Sequence, residues 1–372
     1  MRASDAVVGI IFANVHDDML GELTQVRSAA SVPFAGRYRL IDFTLSNLVN
    51  AGVSNIGLLT KGNYRSLMDH IGSGIYWDLD RKKGGVHFLP PYINGKSGLY
   101  QDSVEALFNA TDFIEKSHAE YVVVCEANTA ANVNLAAAIE MLEKSEADVA
   151  LVCTNGKAPV HHNDSMVLSL DESGVVQSIA FEKSEEDVLY GLGITVIRRE
   201  LLVNLIAKAS KNDCENFYRD VLAQIVSKQK VVGYVHEGYA AVMDDVASYK
   251  KNSFALLNPA VRAQLFRAER PVYTKTRDDM PTRYGTHSVV KNSLIADGCV
   301  IDGTVKNSIL FRGVHVEKGA VVENCILMQG VSVGKNATIT NVISDKNGKI
   351  SENVTLKGTE ADSILIAKNQ TM

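Results

Sequence analysis

No stretch of this sequence reaches the ~20 consecutive apolar residues that a bilayer core demands, which excludes a conventional membrane-spanning helix. Cysteine is sparse: the five residues Cys125, Cys153, Cys214, Cys299 and Cys325 form no Cys-x-x-Cys pair. An odd, dispersed set excludes a disulfide framework and a cysteine zinc site, and it points to a reducing compartment. Positive charge is not in excess. Lys and Arg number 38 against 43 Asp and Glu, a net charge of −5, so the basic footprint of a nucleic-acid binder is missing. The N-terminus, MRASDAVVGIIFANVHDD, lacks the small-residue cleavage site of a signal peptide. The expected location is therefore cytoplasmic, with neither nucleic acid nor membrane as a partner. Proline is also rare, and three of the seven prolines (Pro259, Pro271 and Pro281) fall in one short stretch.

The chain has 372 residues, enough for two domains of ordinary size, ~100–200 residues each. From Val7 to about Leu257, short apolar runs alternate with helical patterns. Val7–Ala13, Ser54–Thr60, Tyr121–Cys125 and Ala147–Thr154 read as strands. Phe43–Ala51, Ser103–Ser117 and Asn134–Lys144 read as helices, with Asp102 or Ser103 as the N-cap of the second. Such alternation predicts an α/β domain, a mostly parallel sheet with helices on both faces, in which ligands bind at the carboxyl ends of the strands.

The tail has another period. From about Ser288 apolar residues recur at Val300, Val305, Leu310, Val316, Val322, Leu327, Val333, Ile339, Ile343, Ile350 and Leu356, with Gly, Asn or Asp between them. A spacing of mostly five or six residues is the signature of a parallel β-helix. The expected organisation is thus residues 1–257 as a nucleotide-binding-type α/β domain, 258–285 as a linker or surface-crossing segment, and 286–372 as a β-helix.

The segment Val32–Asn47, VPFAGRYRLIDFTLSN, closely resembles the signature of the glucose-1-phosphate adenylyltransferases, also called ADP-glucose pyrophosphorylases. Pro271–Thr282 and the tail, with GCVIDGTVKNSILFRGV and ISDKN, resemble the same family, so the likeness spans nearly the whole chain in order. It implies a nucleotidyltransferase fold (Rossmann-like), a C-terminal left-handed parallel β-helix and a tetrameric assembly. The family reaction joins ATP and glucose 1-phosphate and releases pyrophosphate. It relies on a Gly-rich loop, basic side chains and Mg²⁺ held by two aspartates.

Against that pattern the chemistry-bearing residues are replaced. Where the family has glycines and an arginine after the first strand, this chain has Ala13, Asn14, Val15, His16, Asp17, Asp18 and Met19. The two aspartates read as a solvated acidic loop that repels phosphate. Ala29 stands at a family lysine, and Val26 where some bacterial members carry an activator-binding lysine. Arg27 remains and reads as a surface ion-pair partner. The adenine-recognition run aligns with Gln101–Glu105. The two metal aspartates align with Ala127 and Val246, leaving Glu126 and Asp245 one residue out of register. Phe181-Glu182-Lys183 matches the family's sugar-phosphate element, which makes Glu182 and Lys183 vestigial substrate-binding candidates. A solvated charge pair fits them equally well. Asn216–Asp220 resembles a further family element.

The framework motifs remain while the phosphate and metal motifs are lost together. The resemblance therefore implies a GlgD-type regulatory subunit in glycogen biosynthesis, without catalytic residues, metal ligands or a cofactor of its own. Its partner would be a catalytic, Mg²⁺-dependent ADP-glucose pyrophosphorylase subunit in a hetero-oligomer, expected to be a tetramer. A weakly active adenylyltransferase or a stand-alone sugar-phosphate sensor are the alternatives. Glucose 1-phosphate or another sugar phosphate is the implied effector. Arg39 and Lys346 are its candidate ligands, because family members carry phosphate-binding basic residues near the domain junction and in the Asp-Lys-Asn element.

Overall fold

A computed structural model describes residues 6–14, 17–18, 20–91, 102–159, 165–182, 184 and 186–372. Its first half is built on one nine-stranded sheet. Strand β1 (Val7–Phe12) is buried along its whole length. It lies between β2 (Asn55–Leu59) and β4 (Tyr121–Glu126), parallel to both. Continuous apolar runs suit strands covered on both faces, and two separate apolar cores lie against these strands. The outer strand β3 (Gly85–Leu89) is parallel to β2.

On the other side the hand of the sheet changes. The long strand β8 (Asp187–Arg198) runs antiparallel to β4 and to β5 (Val149–Lys157). The strands β6 (Met166–Leu170) and β7 (Val176–Phe181) form a hairpin beside β8, and β9 (Val231–Val235) lies parallel to β5. β8 changes register between Gly191 and Ile194. Gly193 there has φ +65°, and a Cβ on it would stand 2.6 Å from Glu126 Oε2. Only glycine fits that bulge.

Helix α1 (Leu40–Asn50) starts one turn earlier than its apolar pattern suggests. The reason is local: Asp42 Oδ2 accepts the Arg39 N–H at 3.0 Å, half of a capping box. The helix expected over Ser103–Ser117 is split into α3 (Ser103–Asn109) and α4 (Thr111–Lys116); α2 is the short helix Arg65–Ile71. The break falls where the Ala110 N–H is shared between the Ala106 and Leu107 carbonyls. Asp102 is the N-cap of α3, accepting from Glu105 N at 2.8 Å. Asn134 caps α5 (Leu135–Lys144), and α6 (Arg199–Lys211) follows β8 directly.

The tail forms three five-stranded parallel sheets, a β-helix of the left-handed hexapeptide type. Val300 pairs with His315, His315 with Ser332 and Ser332 with Lys349. One apolar residue per short strand turns inward, and Ile301, Val305, Leu310, Val316, Val322 and Leu327 make one core. Left-handed turn positions are taken by asparagines, among them Asn307, Asn324, Asn341 and Asn353, the residue after glycine best suited to that conformation.

Residues 258–285 do not hang free. Asn258 caps α8 (Pro259–Leu265), with Pro259 at its first turn; α7 (Val246–Ala255) precedes it. Beyond α8 the chain lies along the first half. Asn50 donates to Pro271 O, Tyr273 N to Ser46 Oγ, and Lys275 Nζ to Asp69 O at 2.6 Å.

A third apolar core joins the two halves. Leu20, Phe34, Leu40, Phe43 and Tyr249 of the first half pack with Ile309, Phe311, Ile326, Met328 and Ile343 of the β-helix. Arg27 sits at this seam and is 1% exposed, not on the surface as its sequence setting suggests. Its Nη2 is 2.9 Å from Asp345 Oδ2 and its Nη1 donates to Leu23 O. The apolar seam removes water from both charges, so each needs the other. Asp345→Asn leaves the guanidinium buried without a counter-charge and should destabilise the chain by about 3–5 kcal/mol. The double change Arg27→Met, Asp345→Leu should recover most of that. Urea unfolding of the three proteins checks this, and equal losses for the single and double variants would refute it.

Candidate functional site

At the carboxyl end of β1 the loop is closed by its own side chains. Asn14 donates to Asp17 Oδ2 at 2.6 Å and to Gly62 O at 2.9 Å, and its Oδ1 accepts from Lys61 N. Asp17 Oδ1 accepts the Ala29 N–H at 2.6 Å, and the Thr24 hydroxyl donates to Asp17 O at 2.5 Å. Asp17 is thus not a solvated acid, though the neighbouring Asp18 is exposed. Its carboxylate takes backbone and amide donors of the kind a phosphate would need. Val15, His16 and Met19 lie outside the described residues.

The positions that align with metal aspartates carry other work. Ala127 is buried and donates its N–H to Phe12 O. Val246 opens α7, and Asp245 is the N-cap, its Oδ1 accepting from Ser248 N at 2.6 Å. Ser248 Oγ in turn accepts from Asp244 N and Asp245 N. Glu126 packs against Gly193. Among the described residues no group of three His, Cys, Asp or Glu side chains is placed to hold a metal ion. This set does not fit a divalent cation.

On the sugar side Glu182 is exposed, with its N–H on Ser165 O. Lys183 lies outside the described residues. Asn216 caps its own turn through Tyr218 N and Arg219 N, and Asp220 accepts from Glu215 N and Asn216 N. That element is tied to the start of α3, where Ser103 Oγ accepts from Phe217 N and donates to Glu215 O.

A concavity lined by basic side chains lies elsewhere, at the seam between the halves. It is a cavity of ≈ 240 Å³ lined by Arg37, Arg39, Lys275, Arg277, Arg312 and Lys346, with Asp69 as its one carboxylate and His70, Tyr38, Phe311 and Gln329 alongside. Arg39 and Lys346, widely separated in the chain, meet here. The half-buried Arg39 holds its place by donating from Nη1 to Ser66 O (2.6 Å) and Ser66 Oγ (2.9 Å). Burial lowers its pKa to about 10, against the pull of Asp42. Behind it Asp42 Oδ1 is 2.6 Å from His70 Nε2, both buried. Burial holds the His70 pKa below its usual value, opposed by Asp42.

Two cations here are poorly neutralised. Arg312 is 8% exposed, and its Nε and Nη2 make no hydrogen bond; the carboxylate of Asp279 stands off at 3.7 Å. Lys346 is lowered to about 7, first by desolvation and then by the nearby Arg39 and Arg27 charges, with Asp345 opposing. A buried cation with too few acceptors is unfavourable unless an anion joins it. Sequence reasoning found Arg39 and Lys346 but missed Arg312, Arg37, Lys275 and Arg277. The charged residue in the coil turn FRGV was the available signal for Arg312.

The capping geometry of Asp245 has a direct consequence. Asp245→Ala should cost roughly 0.5–2 kcal/mol as a lost helix cap, and Asp245→Asn much less, in thermal unfolding with or without magnesium. A stabilisation by magnesium that Asp245→Asn abolishes would instead make it a ligand.

Comparison with known proteins agrees with this architecture. The family model described as Nucleotidyl transferase matches residues 9–245, and that described as GlmU-like, C-terminal hexapeptide matches 278–363. The chain is 34% identical to glycogen biosynthesis protein GlgD of Bacillus subtilis over 317 residues, 85% of this chain and 82% of that protein. It is 36% identical to GlgD of Geobacillus stearothermophilus over 320 residues, 86% and 83% of the two chains. Identity to the glucose-1-phosphate adenylyltransferase of Thermosipho africanus is 31% over 319 residues, 85% and 77%. With this fold, these matched segments and relatives of both kinds along most of its length, the chain belongs to the glucose-1-phosphate adenylyltransferase family of nucleotidyl transferases and is of the GlgD type.

Proposed function

We propose that this chain is a non-catalytic, regulatory subunit in glycogen biosynthesis. It binds a catalytic glucose-1-phosphate adenylyltransferase chain in a hetero-oligomer, a tetramer by family analogy, and takes a phosphorylated metabolite at the seam cavity. The observation that carries this reading is a contrast within one molecule. The loop after β1 is occupied by Asp17 and its donors, and Ala127 and Val246 stand where metal ligands would. The seam, by contrast, keeps six cationic side chains around one carboxylate. A frame that keeps anion-binding residues without phosphoryl-transfer residues suits sensing rather than turnover. The chain requires no metal of its own, and Mg²⁺ belongs to the catalytic partner.

The seam gives such a site a physical means of acting. Arg39 belongs to the start of α1, Lys275 and Arg277 to the connecting segment, and Arg312 and Lys346 to the β-helix. An anion between them neutralises mutual repulsion and ties the halves more firmly. A ligand that favours one arrangement of the halves shifts the assembly towards it by its differential affinity.

Alone, the purified chain should make ADP-glucose at no more than a trace rate. Mixed with a catalytic homologue, it should form a larger species by light scattering and change the partner's kcat, KM or effector response. Ordinary turnover by the single chain, ~1–10³ per second, would overturn the proposal, as would unchanged size and kinetics on mixing.

Anion binding should be proton-linked. Sulfate keeps its charge across neutral pH, so it isolates the protein's contribution. The free Lys346 amine titrates at about 7, and an anion favours its charged form. Sulfate affinity measured by calorimetry should therefore fall several-fold between pH 6.5 and 8.5. Arg312→Gln should weaken binding throughout, and Lys346→Arg should flatten the pH dependence while keeping binding. A flat profile in the unaltered chain would contradict this assignment.

A further inference from the structure

Lys346 and Lys275 line the same cavity but are not chemically alike. Lys275 Nζ is engaged, donating to Asp69 O at 2.6 Å. Lys346 has its backbone engaged, the N–H by Asp345 Oδ1 and the carbonyl by Asn369 N. Its side-chain nitrogen has no acceptor among the described residues, while Arg39 and Arg312 share the cavity with it. A half-buried amine without an acceptor, in a cavity lined by guanidinium groups, sheds its proton easily and becomes a nucleophile. Those same guanidinium groups are the fork-shaped donors that hold a phosphate.

We propose that Lys346 is a self-modification site, acylated on Nζ by small acyl phosphates whose phosphate end is held by the guanidinium groups of the seam cavity. This rests on the reading of that cavity as an anion site. The neutral Nζ donates its lone pair to the acyl carbon and forms a C–N bond. The bond from that carbon to the bridging oxygen breaks, and its electron pair leaves with inorganic phosphate. The proton lost from nitrogen passes to water. No oxidant, metal or second enzyme is required. Holding the reagent beside the nucleophile replaces a bimolecular encounter by a local one.

The product has a consequence for the site. The amide carries no charge, so the cavity loses one cation beside Arg39 and Arg312. The anion affinity of the modified chain should therefore fall. The effector site would then report the supply of activated acyl groups as well as that of its reversible ligand. Two other lysines lack part of this setting: Lys250, also lowered by burial, donates to Glu360 O on the outside of the fold, and Lys275 shares the cavity but has its Nζ engaged by Asp69 O.

The test uses the full chain with acetyl phosphate near pH 7.5, with acetylation at each lysine followed by peptide mass spectrometry. Lys346 should react at least ten-fold faster than Lys275 and Lys250, and inorganic phosphate should suppress that excess. A neutral acyl donor, the N-hydroxysuccinimide ester of acetic acid, should show a smaller preference for Lys346. Lys346→Arg should still bind inorganic phosphate in calorimetry, which shows that the variant is folded, and should lose the fast site. If inorganic phosphate binds but acetyl phosphate shows no preference for Lys346, the inference falls and the anion site stands. If both donors favour Lys346 equally and inorganic phosphate neither protects nor binds, the anion-site reading falls with it.

Discussion

A guanidinium that is 1% exposed needs a counter-charge, and Arg27 finds one in Asp345 across the seam between the α/β half and the β-helix. Much else depends on this pair. Apolar contact alone, through Phe34, Phe43, Phe311 and Met328, favours burial without selecting one orientation. A buried ion pair tolerates little displacement, because Coulomb attraction at low dielectric changes steeply with distance. On the first-half side of that contact, Tyr249 is held by donating from its hydroxyl to Pro33 O at 2.8 Å. With the orientation set, Lys346, next to Asp345, is carried to the cavity that Arg39 also lines.

The replaced nucleotide end follows a complementary logic. A backbone N–H left for a phosphate is unsatisfied until the ligand arrives, and a buried one is unfavourable in its absence. Here the Ala29 N–H is given permanently to Asp17, and Asn14 bridges that aspartate to Gly62 O. Asp245 and Ser248 likewise spend their polar atoms on the start of α7. These polar groups serve local stability. On the proposed reading, that exchange takes the place of the electrostatic preorganisation on which phosphoryl transfer depends.

The seam cavity keeps the opposite condition. Arg312 is a buried cation with too few acceptors and Lys346 a half-buried amine beside it, held in place by a fold that is stable for other reasons. Unsatisfied polar groups that persist in a well-packed region mark a site awaiting a ligand. On the proposed reading, their chemistry, several guanidinium forks and an amine, suits a multiply charged oxyanion.

The periodicities alone were enough to read both architectures. The run VVGIIF can only be a buried strand in this setting, and apolar residues every five or six positions from Val300 to Leu356 allow little but coils of a β-helix. The losses at Ala29, Ala127 and Val246 were equally legible, since a missing ligand atom needs no coordinates to be recognised. Helix ends were less so: α1 begins early because one carboxylate, Asp42, reaches back to Arg39 N, a detail that hydrophobic pattern does not encode. A mostly parallel sheet was legible, but not that β8 would be an antiparallel member, since that course depends on partners distant in sequence. Burial was decided by tertiary structure alone. Arg27 reads as a surface charge and Asp17 as a solvated acid until the β-helix packs across one and Ala29 reaches the other. The residues that gather around Lys346 come from several separate segments, and charge density in a cavity is a property of distances in space. Sequence determined which groups this protein possesses and which it has lost; folding determined which of them are denied water, and that decides their charge and what they can bind.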